Sequence, residues 1–507
     1  MNHDAFYIDW VETQARMQPN KTAFIEYHSR RKFTWLKFHE RVSQLAAALN
    51  QRGIERGDRV AYLGLNSTDT IEILCATQRI GAVYVPLNFR LTPDELSYII
   101  GDAEPKLLIC DHAFAPVALA VQEQLPWLAT ITTQCDGTAS GYESLFSDKR
   151  LKQTVGLDGD TYAMIMYSSG TTGRPKGVIY THRMMQAGAL NIQQTSHIDA
   201  HSTFYNVMPL FHIGGMQSVL LCLYTGRPMV LARAFEPGEM LACINDDALA
   251  ITHLGAVPAI WNALAAHPDC DATNFTRIAS ASTGAESVPP ALLDTWMQKG
   301  IVLREVYGLT ETSGIICITR AEDLPEKLGY TSPPLKYCDF KVMRSEQKEA
   351  DNGELGEIWM RGAMVTPGYW RRDDATEDAF YDGWFRSGDI GRLDPDGCLA
   401  IEDRIKDMYI SGGENVYPAE VEAALYELAC IAEVAVIGVP DDRWGEVGCA
   451  VVVLKAGESL TLDTLQEHCA PRLAKYKWPK QLKFLDALPR NSTGKVQKFI
   501  LRQEHRR

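Results

Sequence analysis

The sequence predicts an α/β protein: a large N-terminal domain of layered βα subdomains with a β-rich subdomain, followed by a small α+β C-terminal domain. Three observations predict it. From Arg59 to Val306, short apolar runs alternate with helical segments, the pattern of parallel sheets covered by helices. Between about Gly353 and Asp403 the texture changes to short strands punctuated by Gly, Asp and Pro, as in NGELGEIWMRG and DPDGCLAIEDR. Beyond Asp407 a separate helix–strand–strand–helix pattern begins. At 507 residues the chain exceeds the roughly 250 to 300 at which a single core stops growing, so two or three folded units are expected. The expected division is residues 1–403, a connection at 404–406, and residues 407–507.

Taken in order, Ile8 to about Arg52 is helical with an inserted hairpin. Phe38, Val42, Leu45 and Leu49 recur at steps of four, three and four and share one helix face, while Ala23–Tyr27 and Arg31–Trp35 form two short strands. Arg59–Leu63 is a strand, Thr68–Ile80 a helix and Ala82–Pro86 a strand. Pro93 opens a helix with Thr92 as its N-cap, and Lys106–Cys110 is a buried strand. Further strands are expected at Thr203–Met208, Pro228–Leu231, Ile251–Leu254, Arg277–Ala281 and Val302–Val306. In the last part Pro418–Leu428 and Leu462–Leu473 read as helices, with Ala432–Val439 and Gly448–Leu454 as strands.

Composition narrows the function. Apolar residues at 46% and charged residues at 22% are ordinary globular values. With 50 Lys and Arg against 64 Asp and Glu, the formal charge of −14 argues against nucleic acid or an anionic membrane as the main partner. Twelve cysteines occur with no CxxC pair, and the N-terminus MNHDAFYIDW carries acid where a signal peptide carries base. A reduced, cytoplasmic protein without structural zinc or disulfides is expected. No apolar run approaches the ~20 residues of a membrane span; peripheral membrane contact and a homodimer stay open.

The most informative stretch is Tyr167–Gly177, YSSGTTGRPKG, which follows the apolar run Ala163–Met166. It carries hydroxyls at Ser168, Ser169, Thr171 and Thr172, glycines at Gly170, Gly173 and Gly177, and a cation at Lys176. Glycines let successive amides point into one concavity that suits a phosphate, and the lysine supplies charge for the same oxygens. The loop lacks the GxxxxGK[ST] order of a Walker loop, so it is a phosphate loop of another kind. A solvated connection between strands is the alternative. The stretch resembles the signature [ST]SGTTGxPKG of the adenylate-forming superfamily: acyl-CoA synthetases, peptide-synthetase adenylation domains and luciferases. The resemblance implies ATP, Mg²⁺ and a carboxylic acid as reactants, and it extends from about residue 10 to 502 with the motifs in the family's order.

Three other motifs sit with this loop at the carboxyl ends of expected strands, where sites in such sheets form: PLFHIGG, STGAE and YGLTE. In YGLTE, a single carboxylate beside a triphosphate is chemically adequate for magnesium, although an exposed turn glutamate reads the same way. The resemblance implies that Glu311 holds the metal, Thr310 touches phosphate, and Tyr307, beside Gly308, stacks near adenine. It places adenine against Gly284, Ala285 and Glu286 of STGAE, which a helix-capping turn would also explain. In RSGDIG, Asp389 could accept both ribose hydroxyls or simply serve a turn; Arg404 resembles its partner.

The resemblance makes Lys406 the hinge of a mobile C-terminal domain. Gly412 and Gly413 suit either a narrow pantetheine path to coenzyme A or an ordinary hairpin. Lys495 in PRNSTGKVQK resembles the lysine of the family's closing motif, where a cation stabilises carboxylate attack on the α-phosphate. His212 resembles a gate between acyl pocket and coenzyme path, and Met216, Leu254 and Trp261 are the other candidate pocket residues.

Neither IGGMQSVLLCLY nor AVPAIWNAL offers an acid to pair a substrate ammonium, and no carrier-protein domain follows. The expectation is therefore an AMP-forming acid:CoA ligase for a medium- or long-chain fatty acid. The alternatives are an aryl or steroid-side-chain acid ligase and, more remotely, a non-catalytic nucleotide- or acyl-binding protein.

Overall fold

The computed structural model describes residues 8–134, 140–151, 156–168, 175–285, 288–324, 326–404, 407–411, 414–441, 443–490 and 496–505, with backbone only at 403, 404 and 415. Two largely parallel sheets organise the first ~320 residues. One runs Ala129–Thr133, Leu107–Asp111, Arg59–Leu63, Val83–Leu87, Tyr162–Ser168, Lys176–Thr181, and only its last strand is antiparallel. The other runs Gly314–Ile318, Leu303–Leu309, Ser280–Gly284, His253–Ala256, Phe204–Asn206, Met229–Leu231, Thr22–Glu26, Lys32–Thr34, antiparallel only at its two edges.

Local chemistry explains the elements that bracket these sheets. Helix Pro93–Ala103 starts with a full capping box: Thr92 accepts from the Glu95 amide and Glu95 accepts from the Thr92 amide. In helix Trp35–Gln51, Phe38, Val42, Leu45 and Leu49 are all fully buried, as their spacing predicts. One hydrophobic core passes through this helix, helices Thr68–Ile80 and Ile213–Thr225, and both parallel sheets.

All thirteen residues of Thr68–Ile80 are buried, its two carboxylates included. Arg41 donates to Glu72 at 2.5 and 3.0 Å and Tyr142 donates at 2.9 Å, while Arg31 donates to Asp69 at 2.8 Å. Amphipathic helices face water, but this one is enclosed, so its acids need partners.

Several strands begin later and end later than expected. Arg277–Ala281 is found as Ser280–Gly284, and Ile251–Leu254 as His253–Ala256. Apolar runs mark only the buried half of such a strand. The small-residue half pairs through backbone alone, as Gly284 does with Val306. The β-rich subdomain likewise starts before Gly353, at Cys338–Ser345, and its antiparallel sheet ends at Leu399–Arg404. From Tyr409 the chain enters a different sheet, Glu414–Val416, Tyr409–Ser411, Gly445–Leu454, Ile431–Asp441, with Gln481–Phe484 paired in parallel to Gly445–Leu454. No helix among the described residues is long and apolar enough to cross a membrane.

Candidate active site

The described parts of the four motifs lie at or just beyond the carboxyl ends of Tyr162–Ser168, Phe204–Asn206, Ser280–Gly284 and Leu303–Leu309. Ser168 and Lys176 face each other across the hairpin that carries the phosphate loop. Lys176 Nζ lies 5.0 Å over the Tyr369 ring, and the Tyr369 hydroxyl donates to Glu311 Oε1 at 2.9 Å. On the same short turn, Thr310 offers its carbonyl to the Tyr180 hydroxyl at 2.5 Å. A cation, a phenol and a carboxylate therefore stand in a row beside strand Lys176–Thr181.

Segment Thr366–Trp370 ties this row to both sheets. The Thr366 amide donates to the Glu311 carbonyl at 2.8 Å, the Thr366 hydroxyl to the Ile179 carbonyl at 2.7 Å, and the Trp370 amide to the Gly177 carbonyl at 2.7 Å. Gly368 takes φ +150°, where a Cβ would press on the Thr376 side chain. Tyr369 and Thr366 were not expected; in sequence, TPGYW reads as no more than a turn.

At the other end, the buried Tyr307 hydroxyl donates to Asp389 Oδ2 at 2.8 Å, and Asp389 is itself 4% exposed. Burial first, then the Asp389 carboxylate, pushes the Tyr307 phenol well up, so it stays a donor. Asp389 and Arg404 are register partners on adjacent strands. A Cβ at Gly284 would run into the Val306 carbonyl and one at Gly308 into the Gly314 carbonyl, so both glycines are required by close backbone approach. Ala285 holds φ +72°, a conformation non-glycine residues seldom keep without a local reason.

The donor set fits the expected reactants. Among the described residues no group of three or more His, Cys, Asp and Glu could hold a metal by itself. Magnesium needs oxygen ligands and accepts one carboxylate together with nucleotide phosphates, which is what Glu311 beside Lys176 offers. Ser169, Gly170, Thr171, Thr172, Gly173, Glu286, Lys406, Gly412, Gly413 and Lys495 lie outside the described residues, as does the Arg404 side chain.

From this end a cavity of about 110 Å³ runs beneath the second sheet, starting at Gly284, Ala285, Ala256 and Gly214 and reaching Ser280, His253 and Arg304. Of the expected pocket residues, Leu254 is on its wall, whereas Met216 and Trp261 are not. Helical periodicity is the reason for Met216: Gly214, Gln217, Ser218 and Leu221 face the cavity, and Met216 points the other way into the core. Trp261 packs edge-on against Trp296 and supports the wall from behind, its indole donating to the Ser282 carbonyl at 3.1 Å. His212 is half-buried at the N-cap of Ile213–Thr225, 4.3 Å from the Phe211 ring, and does not line the cavity.

Comparison with known proteins identifies the family. The AMP-binding enzyme family model matches residues 11–370, and the AMP-binding enzyme C-terminal domain model matches residues 420–495. A long-chain-fatty-acid–CoA ligase of Mycobacterium tuberculosis is 36% identical over 98% of both chains. A feruloyl-CoA synthase of an Amycolatopsis species is 37% identical over 97% of this chain and 98% of its own. The structure of o-succinylbenzoate CoA synthetase from Bacillus subtilis, in complex with its acyl-adenylate intermediate, superposes with a TM-score of 0.88 at 30% identity, covering 97% of each chain. Matches over nearly the whole chain, to relatives named CoA ligases, define an acid-activating enzyme. The chain belongs to the AMP-binding enzyme family and is an AMP-forming acyl-CoA ligase that uses ATP, Mg²⁺ and coenzyme A.

Proposed function

We propose that the enzyme activates a compact, ring-bearing acid, aryl or alicyclic, and that the medium- or long-chain fatty acid of the first expectation is the poorer substrate. The cavity is the observation that carries this reading. It spans the strand from Gly284 to Ser280, about 13 Å at ~3.3 Å per residue. At its far end the Arg304 guanidinium donates to the Thr195 carbonyl at 2.5 Å and to Ser280 Oγ at 2.6 Å, bridging helix to strand. Walls that include Phe204, Tyr205, Gly255 and Leu254 suit a flat or cyclic body. A feruloyl-CoA synthase and an indoleacetate–CoA ligase stand among the relatives, the latter 33% identical over 98% of this chain.

The reaction proceeds in two halves. The acid's carboxylate attacks the α-phosphorus of ATP, the bond to pyrophosphate breaks, and an acyl adenylate forms. The coenzyme A thiol then attacks the acyl carbon, losing its proton and releasing AMP. Asp389, positioned by Tyr307, accepts from the ribose hydroxyls, and Lys176 with the phosphate loop neutralises the triphosphate. Glu311, together with the ATP phosphates, would hold magnesium, which when bound would supply positive charge opposite the phosphate oxygens. Lys495 supports the first half and leaves for the second, as residues 407–507 turn about Lys406 and Gly412 and Gly413 admit the pantetheine arm.

ATP–pyrophosphate exchange and AMP release across acids of increasing length and ring content test the reading. Aryl or alicyclic acids should exceed straight chains of ten or more carbons by at least ~10-fold in kcat/KM; the opposite order would refute it. Lys495→Ala should abolish exchange yet leave thioester formation from supplied acyl adenylate largely intact, and equal loss of both would remove its separate role.

A further inference from the structure

The far end of the acyl cavity carries a charge that acid activation does not require. Arg304 is 5% exposed. Its two hydrogen-bond acceptors, the Thr195 carbonyl and Ser280 Oγ, are both neutral. No carboxylate among the described residues is within ion-pair distance, and Glu322 acts on it only as a more distant charge. Buried arginines are rarely left without an anion, because desolvation of the guanidinium is offset only by a close counter-charge or full hydrogen bonding. The guanidinium has five N–H donors, and two of its hydrogen bonds are accounted for.

The surroundings are polar in the same sense. His253, on the neighbouring wall, donates from Nε2 to the Ser196 carbonyl at 2.7 Å, and its Nδ1 is 2.7 Å from the Thr252 hydroxyl. Burial keeps that imidazole below its usual range, with Arg304 adding to the effect, so it brings no compensating charge. Two further side-chain oxygens on the cavity wall, Gln217 Oε1 and Thr283 Oγ1, are buried and make no hydrogen bond among the described residues. A cavity built for a purely hydrocarbon tail would not leave these two oxygens without a hydrogen bond.

Resting on the reading of a compact acid, we infer that Arg304 is a specificity residue that receives an oxygen acceptor, a carboxylate or a carbonyl, at the end of the acid remote from the activated carboxyl. The substrate class is then a polar-tailed acid, bifunctional in the sense that one carboxyl enters the nucleotide cleft while the other oxygen function meets the guanidinium. Capping of the helix end at Thr195 is a structural duty of the same side chain, and it would be indifferent to the tail.

The experiment uses the full-length enzyme and three ring-bearing acids of equal length, ending in a carboxylate, a ketone or a methyl group. The wild type should favour the carboxylate or the ketone over the methyl acid by ~10-fold or more in exchange kcat/KM, and which of the two leads identifies the acceptor. Arg304→Met should bring the three within ~3-fold of one another with the KM for ATP unchanged, and Arg304→Lys should restore part of the preference for the carboxylate. A wild-type preference for the methyl acid, or equal loss on all three acids in Arg304→Met, would overturn the assignment. Because the variant could fold poorly, thermal protection of the wild type by each acid is read in parallel. Greater protection by the oxygen-tailed acids supports the subsite even if no acid supports exchange, a result that would defeat the compact-acid reading instead; equal protection by all three counts against the subsite.

Discussion

Asp389 shows how one side chain reaches its role through another. Its carboxylate is nearly inaccessible and receives the Tyr307 hydroxyl at 2.8 Å, which helps fix its orientation. Asp389→Asn keeps the shape and one acceptor but loses the charge that strengthens hydrogen bonds to ribose. The KM for ATP should rise ~10- to 100-fold, with the KM for the acid little changed. Steady-state kinetics with ATP and 2′-deoxy-ATP check it: the wild type should discriminate strongly between the two nucleotides and the variant weakly. From sequence, Asp389 stands out as a candidate because a carboxylate can accept from two vicinal hydroxyls and the motif resembles the superfamily's. Tyr369 does not, since its role depends on a ring 5.0 Å from Lys176 and a hydroxyl on Glu311, contacts between segments almost 200 and 60 residues apart in the chain.

At the scale of elements, two devices hold the site in place. The antiparallel pair Leu303–Leu309 and Gly314–Ile318 approaches so closely that a Cβ at Gly308 meets the Gly314 carbonyl. Gly308→Ala must therefore shift backbone that carries Thr310 and Glu311; a loss of roughly 2 to 4 kcal/mol and weaker nucleotide binding are expected, read by urea unfolding and ATP titration. The second device is the enclosed helix Thr68–Ile80. Arg41→Leu leaves the fully buried Glu72 with Tyr142 as its remaining close partner and should cost about 3 to 5 kcal/mol, while Arg41→Leu with Glu72→Leu should recover a good part of it. Urea midpoints of the two variants decide the matter. The position of this helix was plain from its residues. That it would be enclosed on all sides was not, because its own pattern cannot show which layers later cover it.

For the whole molecule, two titratable groups, the partly buried Glu305 and the buried His182, set opposing pH dependences. Burial pushes the Glu305 carboxyl up to about 7, so between its ordinary 4.5 and 7 the folded chain holds the extra proton, and stability falls as pH rises. Burial pushes His182 down to about 4; between 4 and its ordinary 6.5 the unfolded chain holds the extra proton, and stability rises with pH. In wild type the two slopes largely offset between pH 4.5 and 6.5. Glu305→Gln should expose the rising His182 slope, and above pH 7 the variant should gain roughly 1 to 3 kcal/mol relative to wild type compared with its standing at pH 4.5. Unfolding free energies measured across this range check the sign; an unchanged profile would mean that Glu305 does not titrate as placed.

Composition and periodicity by themselves determined the layered α/β class, loop chemistry marked a phosphate loop, and the resemblance carried by the motifs supplied the nucleotide-dependent activation of an acid. Those properties reside in short segments, where helix period, capping and phosphate-loop chemistry act over a few neighbouring residues. Only the tertiary structure decided which face of Ile213–Thr225 lines the cavity, that Trp261 stands behind its wall, that Thr366–Trp370 joins the two sheets at Glu311, and that a buried arginine stands at the far end. Each of these depends on which distant strands and helices lie against one another, and it is that packing, summed over both sheets, that selects among the faces a local pattern leaves equivalent.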